Sequence, residues 1–558
     1  MHRAHSFRHK TGFVAAILTA GVSLRYCAGW SKLTRAQTMI RNAVKNSSRV
    51  AITIASALTL LAACSDVSNV GITNSLALRP CRVAGVDTEV KCARFEVIEN
   101  RETKQGRKIA LNLVVLPASA RVKEPDPIFL FAGGPGQAAA DLAPQALAIF
   151  GGLNAKRDIV LMDQRGTGKS NFLNCKIPND DPPGMTDPVK RDAFAARLLA
   201  ECRDLLAQKA DLTQYTTTIA MADYDEVRAA LGYRQINLWG GSYGTRAALE
   251  YLRRYPGQVR TVTIDGVAPP SMALPATFSR DAGATYEKML TACATDVRCD
   301  KTFPGLKARV DRLLATVAKQ PRKTSVTDPI TGIAKDIEVT RERLLIAVFS
   351  TLYLPEMTAM LPANLTAAEA GNFAPLLAQG AIFGGFAEDK IAFGMRLSVA
   401  CAEDIPRITP AIREGDAARA PFGRFFVDEF GKACAGWPRG EMPADFDQPV
   451  TSDKPVLILS GGLDPVTPPV HGEEVRRSLS NALHLIAPNV GHGVSVRGCA
   501  PKLVKKFIET ASVAGLDGEC LKRLPRPMFY EPLQDVKKDA PKPALKPLDI
   551  ASTAGASK

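Results

Sequence analysis

Apolar runs that break into glycine-rich turns recur along this chain. "DPIFLFAGGPGQ", "RDIVLMDQRGTGKS", "YRQINLWGGSYG", "QVRTVTIDGVAPP" and "KPVLILSGGLDPVTPP" share that form, and "LHLIAPNVGHG" follows the last of them. Runs this short, without polar alternation, predict strands buried on both faces. Amphipathic helical patterns such as "MADYDEVRAALG" and "TRAALEYLRRYPG" lie between several of them. Strands alternating with helices predict an α/β class with a mostly parallel sheet covered on both sides. Upstream, "KCARFEVIEN" and "RKIALNLVVLPAS" alternate in polarity around the turn-like "RETKQG" and predict short β runs between Val86 and Ala118.

The alternation fails from roughly residue 271 to 450. That stretch is rich in Ala, Leu and other helix formers, as in "RERLLIAVFSTLYL" and "LTAAEAGNFAPLLAQGAIF", and offers no convincing parallel strand. It predicts a helical insertion between two sheet strands. From Pro525 the chain is Pro-, Lys- and Ala-rich, a composition that predicts an unstructured tail. The expected organisation is therefore a targeting segment 1–63, a tether 64–85, a first part of the core 86–275, a helical cap 276–449, a second part of the core 450–524 and the tail 525–558.

The net charge of +15 invites a nucleic-acid reading until the charges are located. Residues 1–63 hold nine Lys/Arg and no acidic residue, which leaves +6 over the rest. No basic stripe interleaves with aromatics, so no nucleic-acid partner is expected. The N-terminal block instead has the form of a signal. "MIRNAVKNSSRVAITIASALTLLAAC" begins at Met39 with a basic stretch, continues in an apolar run too short to span a bilayer as a helix, and ends in Leu61-Ala62-Ala63-Cys64. The L-A-A-C string resembles a bacterial lipobox, which implies acylation of Cys64. The expected location is then the bacterial cell envelope, periplasmic or outer face, with a lipid anchor in the membrane. A weaker apolar run, Phe13 to Leu24, precedes Met39, so the start lies at Met1 or at Met39.

Beyond Cys64 the chain has ten cysteines, an even number that favours disulfides in an exported protein. The simplest pairing joins sequence neighbours: Cys81 with Cys92, Cys175 with Cys202, Cys293 with Cys299, Cys401 with Cys434 and Cys499 with Cys520. Spacing alone does not fix that connectivity. No C-x-x-C occurs, and no metal site is expected.

"GGSYG" at 240–244 matches G-x-S-x-G, the nucleophile elbow that lifts a serine hydroxyl clear of a strand-to-helix turn. Alone it is equally a glycine turn. Ser242 needs a base, and beyond Cys64 the histidines are His471, His484 and His492. His484 lies inside an apolar strand and reads as a hydrogen-bonded strand residue. His471 lies at a helix start and reads as a surface residue. His492, in the glycine loop "NVGHG", is the expected base. A carboxylate must orient it. Asp464 in "SGGLDPVTPP" is the leading choice and Asp265 in "TIDG" the competitor. The order Ser242, Asp464, His492 suits the α/β-hydrolase arrangement. Donors for a developing oxyanion are expected at Gly134, in "FAGGPGQ", and at the N–H of Tyr243. "GTGKS" imitates a P-loop, but the position of its first glycine holds Asp163, and the segment reads as a loop braced by Asp163 and Arg165.

Together, "AGGPG" at 132–136, "DQRGTGKS" at 163–170, "GGSYGT" at 240–245, "GGLDPVTP" at 461–468 and "GHG" at 491–493 resemble the proline iminopeptidase and tripeptidyl aminopeptidase family of α/β-hydrolases. The likeness covers most of 86–275 and 450–524. It implies an α/β-hydrolase fold with a mostly parallel sheet and an inserted helical cap. It also implies a cofactor-free serine peptidase acting on peptide N-termini, with Ser242, Asp464 and His492 as triad and Gly134 in the oxyanion loop. Many members carry His before Gly-Gly-Pro-Gly, where this chain has Ala132, and that departure leans toward the tripeptidyl-type, exported branch. A substrate with a free N-terminus calls for a carboxylate in the cap, and "ACAEDIP" offers Glu403 and Asp404. The rival readings are an esterase or amidase on small non-peptide substrates, and a catalytically silent, surface-anchored binding protein.

Overall fold

The computed structural model describes residues 76–532 apart from 176–184, 186, 328–331 and 389. The expected signal, Cys64 and most of the expected tail lie outside the described residues. A nine-stranded sheet runs in the order β1 (Arg79–Cys81), β2 (Val90–Ile98), β3 (Lys108–Leu116), β5 (Ile159–Met162), β4 (Ile128–Phe131), β6 (Ile236–Gly241), β7 (Val259–Asp265), β10 (Val456–Gly461) and β11 (Ala482–Ala487). The first three strands and the β3–β5 contact are antiparallel. Every pair from β5 to β11 is parallel. The fold is that of an α/β-hydrolase, with the chain crossing over between β4 and β5.

Strands β4, β5 and β10 are buried at every position, which their unbroken apolar sequences require. One face is covered by α1 (Ala143–Asn154) and α13 (Ala500–Thr510), through Phe150, Leu153, Val504 and Phe507. The other is covered by α3 (Thr217–Ala230) and α4 (Tyr243–Arg254), through Met221, Tyr224, Leu249 and Leu252. A further helix, α2 (Pro188–Ala207), starts at Asp187, whose carboxylate accepts from the N–H groups of Val189 and Lys190.

Between β7 and β10 the chain forms α5 (Phe278–Thr295), α6 (Leu306–Lys319), α7 (Arg341–Leu352), α8 (Leu361–Glu369), α9 (Ala374–Glu388), α10 (Phe393–Glu403) and α11 (Phe425–Cys434). These helices have a core of their own, with Tyr286, Met289, Leu344, Leu361, Phe422 and Phe426 packed together. The insertion is not purely helical. An antiparallel ribbon, β8 (Arg322–Thr327) with β9 (Ala334–Val339), lies inside it. Its strands are mostly solvent-facing and polar, so they carry none of the apolar signal that marks the central strands. The chain then returns through α12 (Pro469–Arg476).

All ten cysteines of the described part pair as sequence neighbours, in five disulfides. Such bridges suit an oxidising, exported environment. No helix among the described residues is long and apolar enough to cross a membrane. The start of the expected tail is ordered: Tyr530 N–H donates to the Ala359 carbonyl at 2.9 Å and Phe529 packs on the core of the insertion. The Phe529 ring and the Tyr530 backbone supply the anchoring that composition averages away.

Candidate active site

Ser242 follows β6 with φ +57° and ψ −128°, a conformation that costs a non-glycine residue about 1–3 kcal/mol. Hydrogen bonds on both sides hold it there. Its N–H donates to the Asp265 carbonyl at 2.9 Å, and its carbonyl accepts from the N–H of Thr245 at 2.9 Å and from Thr245 Oγ1 at 2.6 Å. The glycines around it are demanded by crowding. A Cβ on Gly240 would strike the Gly244 carbonyl, and one on Gly244 would strike the carbonyl of Phe131, so α4 seats on the sheet only with both positions bare. Ser242 precedes α4 without capping it through its side chain, which leaves the hydroxyl free. The N–H of Tyr243, the first helical residue, has no partner among the described residues.

The loop after β4 meets this turn. A Cβ on Gly133 would lie 3.2 Å from Ser242 Cβ. Gly133 N–H is taken by Gln137 Oε1 at 3.3 Å, whereas the N–H of Gly134, at φ +108°, has no partner among the described residues. On its outer side the loop is fastened to the insertion, where the N–H of Ala392 donates to the Gly136 carbonyl at 2.9 Å. Two unpaired N–H groups, on Gly134 and Tyr243, thus flank the serine.

His492 lies in the loop beyond β11. Its Nδ1–H donates to Asp464 Oδ2 at 2.8 Å, which fixes the tautomer and leaves Nε2 as the basic nitrogen. Asp464, wholly buried beyond β10, also accepts from Thr467 Oγ1 at 2.7 Å and from the N–H groups of Val466 and Thr467, each at 2.9 Å. Burial pushes its carboxyl up, but His492 and these donors outweigh it and hold the group below the ordinary carboxylate range. Burial pulls His492 down, and the Asp464 carboxylate overrides that and raises it above an ordinary histidine. The ring reaches the serine's surroundings at Gly266, where a Cβ would lie 3.3 Å from His492 Cε1. Gly266 follows Asp265, whose carbonyl binds Ser242 N–H. No hydrogen bond joins Ser242 Oγ to His492 among the described contacts, as is common before substrate arrives.

Asp265 has a different task. Its two oxygens accept from the N–H groups of Val494 at 2.9 Å and Ser495 at 2.6 Å, so it anchors the chain just past His492. Burial raises its pKa. Asp464 is therefore the carboxylate bonded to the imidazole. Arg165 and Asp163 support the site from below: Arg165 is fully buried and forks onto Asp223, and Asp163 accepts from Asn112 Nδ2, Ala140 N–H and Lys169 N–H.

Glu403 and Asp404 are both engaged by other residues, although Asp404 Oδ2 has no hydrogen-bond partner among the described residues. Both are buried, because two carboxylates inside a protein require cations and donors. Glu403 accepts from Thr217 N–H at 2.6 Å and Thr217 Oγ1 at 2.8 Å, and Asp404 Oδ1 accepts from Arg246 at 2.9 Å and from Leu274 N–H at 3.0 Å. Thr217 Oγ1 lies 2.6 Å from the hydroxyl of Tyr243, so this network stands directly behind the residue next to the nucleophile. Arg246, on the elbow helix, and Thr217 gave no sequence signal. His471 is also not at the surface: it is buried, with Nε2 2.8 Å from Asp281 Oδ2 on α5. His484 sits in β11 as expected of a strand residue, 2.9 Å from Ser460 Oγ. Thr467 and Tyr353 were missed as well. The D-x-x-T spacing of Asp464 and Thr467 is the turn pattern that could have found the former.

The family model described as alpha/beta hydrolase fold matches residues 126–316, and the one described as TAP-like protein matches residues 418–520. Serine protease Hip1 of Mycobacterium tuberculosis is 24% identical over 480 residues, covering 77% of this chain and 88% of the relative. The tripeptidyl aminopeptidase of Streptomyces lividans is 35% identical over 123 residues, covering 20% and 22%. The crystal structure of proline iminopeptidase from Mycobacterium smegmatis aligns with 76% of this chain and 99% of its own, at 16% identity and a TM-score of 0.34. Strand order, elbow and family matches agree: the chain has the α/β-hydrolase fold, and it is a serine hydrolase similar to the tripeptidyl aminopeptidase and proline iminopeptidase group.

Proposed function

We propose that this protein is an exported serine aminopeptidase that releases residues or short, tripeptide-like fragments from peptide N-termini through an acyl-enzyme. The supporting observation is the Ser242 elbow, flanked by the unpaired N–H groups of Gly134 and Tyr243, with His492 tied to Asp464 at 2.8 Å. Ser242 Oγ attacks the carbonyl and passes its proton to His492 Nε2. The imidazolium is stabilised by Asp464 and returns the proton to the departing amine. The oxyanion is met by the N–H groups of Gly134 and Tyr243. Water, deprotonated by the same imidazole, then frees the acyl fragment. The helices from α5 to α11 form the cap over this site, and in this reading the mature chain is tethered to a membrane through Cys64.

The test compares kcat/KM for a fluorogenic tripeptide amide, its N-acetylated twin and a simple aryl ester, with wild type and Ser242→Ala. Strong preference for the free-amine peptide, with all turnover lost in the variant, supports the aminopeptidase. Preference for the ester with indifference to acetylation keeps the serine chemistry and rejects the peptidase. A serine-directed phosphonate that fails to label the wild type rejects both.

A further inference from the structure

Among the described residues the fully buried arginines are paired. Arg165 meets Asp223, Arg246 meets Asp404 and Arg157 meets Asp126. The half-buried Arg526 and Arg396 are different, each set against an aromatic ring with no ion pair among the described residues, and Arg396 is the one near the candidate site. It is partly buried on α10, and among the described residues no carboxylate and no hydrogen-bond acceptor meets its guanidinium. Its one recorded contact is the ring of Phe430 on α11, 5.1 Å from the guanidinium carbon. Burial pulls its pKa below the usual arginine value, as expected for a cation without a counter-ion. Its nitrogens are not among the sealed, unpartnered polar atoms of the described residues. Leaving a charge in such a place is costly unless an anion joins it.

The surroundings of Arg396 belong to the candidate site. One turn before it, Ala392 N–H donates to Gly136 of the Gly134 loop. Two turns after it, on the same helical face, Glu403 binds Thr217, which touches the Tyr243 hydroxyl. Tyr353, whose ring meets His492 edge to face at 5.2 Å, lies within electrostatic reach of Arg396. Helix α10 therefore reaches the surroundings of the candidate site at both ends, with Arg396 in its first turn.

We propose that Arg396 is a specificity-determining residue that receives a carboxylate of the bound substrate. The substrate class rests on the peptidase reading above. A carboxylate lies close to the reacting carbonyl in two kinds of peptide: a short one, through its C-terminus, or one with an acidic side chain next to the cleaved bond. The chemistry is the same, a planar guanidinium donating two parallel N–H bonds to two oxygens.

The experiment measures kcat/KM for a free-amine tetrapeptide as its C-terminal acid and as its C-terminal amide, and for amide peptides carrying Glu or Gln beside the cleaved bond. Each is run with wild type, Arg396→Gln and Arg396→Lys, with phosphonate labelling and circular dichroism to verify that the variants are folded. One charged hydrogen-bonded contact predicts about a 10- to 100-fold preference for the anionic partner in wild type, collapsing in Arg396→Gln and partly restored in Arg396→Lys. Preference for the free acid identifies the terminal carboxylate, and preference for Glu over Gln identifies the side chain. Equal rates within both wild-type pairs overturn the proposal. Inhibition of aryl-ester turnover by the tripeptide acid and by its amide gives an independent readout. If no peptide is cut, yet the acid inhibits wild type 10-fold more strongly than the amide and Arg396→Gln loses that difference, the peptidase reading fails while the carboxylate site stands.

Discussion

The backbone N–H of His492 donates to the carbonyl of Tyr353 at 3.0 Å, and the two rings meet edge to face. The imidazole expected as base is thus held from two directions, by Asp464 of the sheet and by the end of α7 in the insertion. Gly491 makes the contact possible, since a Cβ there would strike the Tyr353 carbonyl.

Gly491→Ala should therefore push the histidine loop off the insertion while leaving the sheet untouched. A displacement of about 1 Å predicts a kcat loss of roughly 100-fold with little change in Tm. Steady-state kinetics together with a thermal melt checks this. An equal fall in Tm and kcat would mean that the loop is part of the folding core instead.

The paired titration of His492 and Asp464 has a direction. The base works only when neutral, and Asp464 raises its pKa, so kcat/KM should fall as pH drops through a midpoint above the ordinary histidine value of about 6.5. Asp464→Asn removes that support: the midpoint should move down and kcat fall by about 10⁴-fold, as loss of the orienting carboxylate predicts. The pair also bears on stability. The raised histidine contributes below its unfolded pKa and loses this as pH rises through its folded pKa. The depressed aspartate contributes above its unfolded pKa and loses this as pH falls through its folded one.

Glu403 is pushed up to about 7 by burial, against the pull of Arg246. A carboxyl raised in this way favours the fold while protonated, so its contribution is present below about pH 4 and fades as pH rises through 7. The wild-type Tm should show this loss between pH 5 and pH 8 on the order of a few degrees, and Glu403→Gln should flatten it. A pH-melt series that is identical for the two proteins would contradict the assignment.

The Cys401–Cys434 bridge ties α10 to α11, the helices that carry Arg396 and Phe430. Replacing both cysteines by serine should lower stability by about 2–4 kcal/mol. It should also loosen Arg396 above its aromatic partner, so KM for peptide acids should rise more than KM for their amides.

The Gly134 N–H carries a prediction of its own. Its φ of +108° is open to glycine, so Gly134→Ala should turn the loop away and cost about 10²–10³-fold in kcat with KM nearly unchanged, as removal of one oxyanion donor does. Phosphonate labelling separates this loss from damage to Ser242.

By itself the sequence determined the parallel strands, because IFLF, IVLM and VLILSG have no polar face to turn to water. It also determined the elbow, because only glycine tolerates the crowding at 240 and 244. Neighbour pairing of the cysteines is the simplest expectation, not one that spacing fixes, and the five bridges of the fold follow it. What lay beyond sequence were relationships between residues far apart in the chain. Asp265 and Asp464 each follow a sheet strand, and only the packed loops show that Asp464 meets the imidazole while Asp265 caps the chain beyond it. His471 reads as a surface residue, and Glu403 and Asp404 as cap carboxylates open to a substrate amine, because their partners, Asp281 and Arg246, arrive from other helices. A polar residue's burial is set by partners that tertiary contact supplies, whereas an apolar run has its burial written into its own composition. The same rule leaves Arg396 unremarkable in sequence, whereas in the fold its guanidinium meets no carboxylate among the described residues.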